Sequence, residues 1–361
     1  MNMRRNYLLL GMALLSLFAG CNRDADEVEP REVKNWFRIE DCGDKFGHLA
    51  YEVYQDYGIP VFVNDTIGRT RVGEDVYGEP LFSYEILNPR YNVYTYYNNT
   101  YDRALERDTA VMMKALEVVG NWVLPNFPDE EGARVKSLLL VDSLFTSDYG
   151  GYNNSSVSKT DVSMTAWVYN TSRWCTVVGR LFEIQKMTDR QLKFWAGMIL
   201  SANVVDWLGE NYPEGLDEFY ALTDSDHPQS KSFYATMCMC MIKIPSGELV
   251  YPNYPEYNSW SCFRMGFLEW VRERYVQDSY SIFDGQIRTI KQYPPSKKID
   301  VMNYVAAVYA FSDEEFAAMM QEVDGGKKCI EKRLIMKDLV AKFDEATGVT
   351  RQAFGKITFH S

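Results

Sequence analysis

Two histidines at i and i+4 on one helical face can grip Zn²⁺ while a glutamate beside them activates its water, so histidine spacing is the first chemistry to look for. The chain has three histidines, His48, His227 and His360, and no two are within helical reach of each other. A catalytic site with three protein ligands and an open position would therefore need distant residues to converge. His227 lies in Asp224-Ser-Asp-His-Pro228, a sequence that suits either weak metal binding or a solvated loop. There is no G-x-S-x-G elbow, no glycine-rich phosphate loop and no C-G-x-C-W wording. A glycosidase pair needs only two carboxyls ~5 to 9.5 Å apart, a separation that sequence spacing does not reveal.

Apart from Cys21 there are six cysteines, at 42, 175, 238, 240, 262 and 329, with no C-x-x-C pair. Neither a zinc ribbon nor a thioredoxin-like motif is indicated, and buried free thiols are the expectation. The one positive excess is aromatic, with 25 Tyr and 8 Trp. Tyr91, Tyr94, Tyr96, Tyr97 and Tyr101, and then Tyr251, Tyr254, Tyr257 and Trp260, fall in loop-like stretches. Rings with a polar edge suit sugars and peptide side chains, and they equally serve to pack loops on a core.

The elements that must position these residues follow from periodicity. Apolar spacing predicts helices over 47–57 and 105–121, with strands over 59–63 and 135–141. A Gly/Asn/Ser loop over 150–156 and a further strand over 164–168 come next. The run Val177, Val178, Leu181, Phe182, Ile184 predicts a mostly buried helix over 176–185. That helix carries Arg180 and Glu183, which either anchor a ligand or pair with each other. Residues 210–260, rich in Pro, Asp, Ser and Tyr, read as long loops with short elements. Helices return over 299–311, after the capping box Ser312-Asp-Glu-Glu315, and over 328–346, closed by Gly348.

The first residues give an address. Arg4 and Arg5 precede an apolar run over 7–18, which is too short for a ~30 Å hydrocarbon core and has the layout of a signal peptide. Phe18-Ala19-Gly20-Cys21 resembles a lipobox, with Phe18 departing from the usual aliphatic residue. Cys21 is thus the expected lipidation site, holding the chain on a membrane without a spanning helix. Residues 1–20 form the signal peptide, 21–33 a polar acidic tether, and 34–361 a single domain. Losing residues 1–20 removes two arginines and leaves 36 basic against 50 acidic residues, a charge of −14 that repels phosphate backbones and speaks against nucleic acid.

Four segments carry a family resemblance. Leu49-Ala-Tyr-Glu-Val-Tyr-Gln-Asp-Tyr-Gly-Ile-Pro-Val61 is similar to an opening helix and strand of the form F-x-x-x-Y-N-I-x-V. The 105–121 helix, the 135–141 strand and the Gly/Asn loop form the second, and residues 176–194 the third. The fourth is the final stretch from Lys332 to Val349. Together they resemble the zinc metallopeptidase-like surface lipoproteins that accompany nutrient uptake in gut-type Gram-negative bacteria. The resemblance implies an α+β, zincin-like fold, predominantly helical with a small sheet. It also implies the outer membrane as location, since the acidic tether resembles the signal for its outer face. Where an active member has H-E-x-x-H, this chain has Gly179-Arg180-Leu181-Phe182-Glu183, and E-D-F-A-E aligns with Asp300-Val-Met-Asn-Tyr304. The implied protein is catalytically inactive, with no metal or cofactor and a candidate cleft at Arg180, Glu183, Asp300 and Tyr304. It would hold a peptide, a glycan or a partner protein. The alternatives are a hydrolase with a displaced site and a structural partner of an outer-membrane transporter.

Overall fold

The computed structural model describes residues 34–87, 101–130, 133–146, 164–170, 174–225, 232–235, 239–243, 249–250, 262–272 and 289–359. Cys21, the tether, the 150–156 loop, His227, His360 and nearly all of the two tyrosine-rich stretches lie outside them. The chain divides into two units, Met1–Trp36 and Phe37–Ser361. In the first, the Lys34 ammonium sits 4.7 Å over the Trp36 ring. Everything below concerns the second.

Helix α1 (Lys45–Tyr57) begins where the Asp44 carboxylate accepts from the Gly47 N–H at 2.8 Å and ends on Gly58, whose φ of 68° favours glycine. Strand β1 (Val61–Phe62) follows, then a hairpin of β2 (Thr66–Glu74) and β3 (Pro80–Ile86), then β4 (Tyr101–Ala104). Helix α2 (Thr109–Val118) starts later than its apolar spacing predicts, because Asp108 caps it by accepting from the Ala110 N–H. It runs on into a π-helical turn, Val119–Val123.

Strand β5 (Leu138–Leu140) is wholly buried, as a strand covered on both faces must be. Short strands β6 (Ser143–Thr146), β7 (Met164–Thr165), β8 (Val168–Asn170) and β9 (Thr176–Val178) complete the first half. The core sheet has the order β1-β5-β9-β8, with β1, β5 and β9 parallel and β8 antiparallel to β9. Leu138 pairs with Val61 on one side and Thr176 on the other. The strand expected over 164–168 is two strands, β7 pairing with β6 and β8 with β9.

The helix expected over 176–185 is not there. Thr176, Val177 and Val178 form β9, and only Leu181–Ile184 is helical, a single turn, α3. A short, wholly buried apolar run lacks the periodicity that separates helix from strand, and here the β-branched pair decides for strand. Between β9 and α3 the backbone turns at Arg180, with φ 67°, a left-handed conformation that costs a non-glycine residue ~1–2 kcal/mol.

The long helix comes just after. Helix α4 (Asp189–Asn211) opens on a capping box in which Thr188 and Gln191 each bond the other's backbone N–H. It is buried on most of its circumference, which hides the amphipathic pattern. Helix α5 (Pro213–Asp224) corrects the expectation of loops from residue 210. Its Pro213 occupies the first turn, where no N–H is needed, and Leu216, Phe219 and Thr223 form one buried stripe. A second sheet is ordered β11-β10-β13-β12, from β10 (Met239–Lys243), β11 (Leu249–Val250), β12 (Val271–Arg272) and β13 (Thr289–Tyr293).

Three helices end the chain: α6 (Lys297–Ala310), α7 (Asp313–Gln321) and α8 (Gly326–Thr347). The Ser312/Glu315 capping box and the left-handed Gly348 stand where the sequence analysis puts them. Helix α6 packs on α4 at Gly197, where an added Cβ would lie 2.5 Å from the Ala306 carbonyl oxygen. Helix α8 packs on α5, α6 and α7. The architecture is α+β, more helix than sheet, and no helix among the described residues is long and apolar enough to cross a membrane.

Candidate functional site

Arg180 and Glu183 meet each other. Arg180 donates from Nε to Glu183 Oε2 at 2.8 Å and from Nη2 at 2.6 Å, while its guanidinium lies 3.6 Å from the centroid of the Trp167 ring. The left-handed turn at Arg180 lets the chain leave β9 and lay the guanidinium on that ring. Gly179 makes the turn fit, because a Cβ there would stand 2.6 Å from Leu144 Cβ and 2.9 Å from the Ala166 carbonyl. Its own carbonyl accepts from the Trp195 indole of α4 at 3.0 Å. The donor and the acceptor of this pair are thus committed, and the arrangement is that of an ion pair stacked on an aromatic ring.

Asp300 and Tyr304 belong to a different centre, wholly out of solvent. Lys332 of α8 donates to Asp300 Oδ2 at 2.5 Å, to Thr223 Oγ1 at 2.6 Å and to the Gly266 carbonyl at 2.8 Å. Tyr234 donates to the same Asp300 oxygen at 2.6 Å and lies 3.0 Å from the Thr223 hydroxyl. Tyr304 donates to the Gly266 carbonyl at 2.9 Å. Phe219 and Tyr304 place their rings 4.1 Å and 4.7 Å from the Lys332 ammonium. Burial raises the Asp300 carboxyl and lowers the Lys332 ammonium, and the attraction between them opposes both shifts. The Tyr234 and Tyr304 hydroxyls are pushed well above their usual range by the same burial. With all three ammonium protons placed, this cluster is built to hold a charge, and both ions have no exposed surface for a substrate to reach.

Sequence reasoning found Asp300 and Tyr304 but not Lys332, Thr223 or Tyr234. A signal for Lys332 exists: it stands in the buried stripe of α8 with Cys329, Met336 and Leu339, where a cation requires a buried partner.

A third place has the shape of a binding site. A cleft of about 530 Å³ opens beside the C-terminal half of α4. Its walls include Asn170 at the end of β8, Asn203, Asp206 and Trp207 of α4, Tyr220 of α5 and Lys298 of α6. Lys298 donates to Asp206 at 2.6 Å, and Glu210 adds a further carboxylate to the lining. Asn170 spends its amide N–H on the Ala202 carbonyl at 3.2 Å. Amides, aromatic rings and a neutralised ion pair in a cleft of this volume are the lining that small polar ligands use. None of Arg180, Glu183, Asp300 and Tyr304 is among its lining residues.

No protein-family model, curated protein or solved structure matches this chain.

Among the described residues no three His, Cys, Asp or Glu side chains come together as a metal site requires. His48 is held by carboxylates instead, with Nδ1 2.8 Å from Asp41 Oδ2 and Nε2 3.3 Å from Glu52 Oε1. The Asp41 hydrogen bond, followed by the charges of Asp41 and Glu52, raises its pKa. Of the free cysteines among the described residues, Cys175 and Cys329 are buried as expected, whereas Cys262 is half-buried and Cys42 exposed; desolvation pushes the Cys175 and Cys262 thiols up to about 12, too high to be nucleophiles at neutral pH.

Proposed function

We propose that this chain is a surface lipoprotein, anchored through Cys21 on the outer membrane, whose metallopeptidase-like scaffold no longer hydrolyses and instead holds a small polar ligand, a glycan or peptide, as an accessory to nutrient uptake. The observation that carries the binding reading is the cleft beside α4, with Trp207, Tyr220, two asparagines and the Asp206–Lys298 pair in its walls. Aromatic faces take the apolar side of a sugar ring or side chain, while amides and paired charges take its hydroxyls or peptide groups. Loss of zinc rests on residue chemistry. The stretch that the resemblance aligns with H-E-x-x-H contains Arg180 and Glu183 bonded to each other, and α4, the long helix that follows, contains no histidine.

The test is binding of oligosaccharide and peptide libraries to the full-length protein, read by titration calorimetry, beside a zinc determination on the same sample. Saturable binding that Asn203→Ala and Lys298→Ala weaken supports the reading. Stoichiometric zinc with chelator-sensitive peptide cleavage overturns it in favour of an enzyme.

A further inference from the structure

The hairpin of β2 and β3 departs from ordinary surface chemistry. Of the nine exposed large apolar side chains among the described residues, six lie on it: Val72, Val76, Tyr77, Leu81, Tyr84 and Ile86. At the tip Val76 is 92% and Tyr77 89% exposed. Among the described residues the two strands pair only with each other. A lone two-stranded ribbon is marginal in water, and an apolar ribbon with free edges is a template for another chain. The base is fixed: Leu87 is wholly buried and its N–H donates to the Asp65 carbonyl at 2.6 Å, while Asp65 Oδ2 accepts from Arg103 of β4 at 2.5 Å. The tip is equally well defined, with Asp75 Oδ1 accepting from the N–H groups of Tyr77 and Glu79 at 2.8 and 2.9 Å. The ribbon is therefore held at both its base and its tip.

Register puts specific residues on one face. Tyr84 pairs with Arg69, Phe82 with Arg71, and Ile86 with Thr66, so these six share a face, and Arg69 lies 4.8 Å from the Phe82 ring centroid. Charge is ordered along this face: Arg69 and Arg71 stand in the middle and Glu74 follows toward a tip that also holds Asp75 and Glu79, while Glu85, paired with Gly68, lies on the opposite face. A face that carries Phe82, Tyr84 and Ile86, basic in its middle and acidic at its tip, complements a copy of itself laid antiparallel and displaced toward the tip. A two-fold axis near Gly73, between the arginines and Glu74, brings Arg69 and Arg71 of each ribbon to the acidic tip of the other, which is the isologous arrangement of a closed dimer.

We propose that this hairpin is a self-association surface, through which two copies of the chain pair ribbon to ribbon. Nine residues at ~3.4 Å each give a contact ~30 Å long, at the low end of specific interfaces, so the dimer is weak and concentration-dependent. Within the monomer Arg71 bonds Glu74, an exposed pair of small energy that can exchange for the equivalent pair across the two-fold.

Sedimentation velocity of the full-length chain in a mild detergent tests the proposal. A monomer–dimer equilibrium is expected in the micromolar range. R69E/R71E and E74K/E79K should each weaken self-association at least ~10-fold, with unchanged circular dichroism, while an equimolar mixture of the two restores the dimer. A monomer at every concentration up to ~0.5 mM overturns the proposal. So does association that survives both charge reversals, or a mixture no stronger than either variant alone.

Discussion

The Lys332 ammonium lies 2.5 Å from Asp300 Oδ2 with neither side chain exposed to any degree, and the pair joins helix α8 to helix α6. Two buried ions hold each other at a large desolvation cost, so removing one should be worse than removing both. Lys332→Met strands the carboxylate and is expected to cost ~3–5 kcal/mol in urea unfolding. Adding Asp300→Asn to it should recover part of that loss. A double variant less stable than the single one would show that the two do not act as a pair.

Gly197 lets α4 and α6 approach closely. Alanine is ordinarily the better helix former by ~1 kcal/mol, but here its Cβ would sit 2.5 Å from the backbone oxygen of Ala306, which no rotamer can move away. Overpacking of this kind typically costs ~1–3 kcal/mol and should win, giving Gly197→Ala a lower thermal midpoint. An unchanged or raised midpoint would mean that the helices separate at little cost.

Arg180 offers a test of backbone strain. Arg180→Ala and Arg180→Gly both lose the Glu183 pair and the Trp167 stacking, so these effects cancel in the comparison. What remains is the left-handed φ, and Arg180→Gly should be the more stable variant by ~1 kcal/mol. Equal stability would contradict the left-handed turn.

His48 carries a pH dependence. Its pKa is raised above 6.5, first by the hydrogen bond its Nδ1 donates to Asp41 and then by the charges of Asp41 and Glu52. A raised folded-state value means that the contribution of this contact is complete below pH 6.5 and fades as pH climbs through the higher value. An NMR titration of the imidazole should give a midpoint above 6.5 that returns toward it in Asp41→Asn. A midpoint at or below 6.5 would remove the contact from solution.

How far the fold could be read from sequence depended on local chemistry. The Ser312/Glu315 box and Gly348 act within a few residues of themselves, so α7 and the end of α8 were legible. The Thr188/Gln191 box is the same signal and announces α4, but α4 is buried nearly all round and has no polar stripe to confirm it. The 176–185 stretch failed for a different reason: β9 is held between β8, just upstream, and β5, far away in sequence, and this pairing, not periodicity, makes it a strand. In the candidate site, the Arg180–Glu183 pair was legible because three residues separate its members. The cleft residues come from β8, α4, α5 and α6, and nothing local brings Asn170 near Lys298.

The cluster around Lys332 also orders the events of synthesis. Thr223, Tyr234, Gly266 and Asp300 are all made before the lysine that binds them. Until it emerges from the ribosome, the Asp300 carboxylate has no cation to enter the core with, and the last turns of helix packing wait on it. A polypeptide that ends before Lys332 is thus left with an incomplete centre.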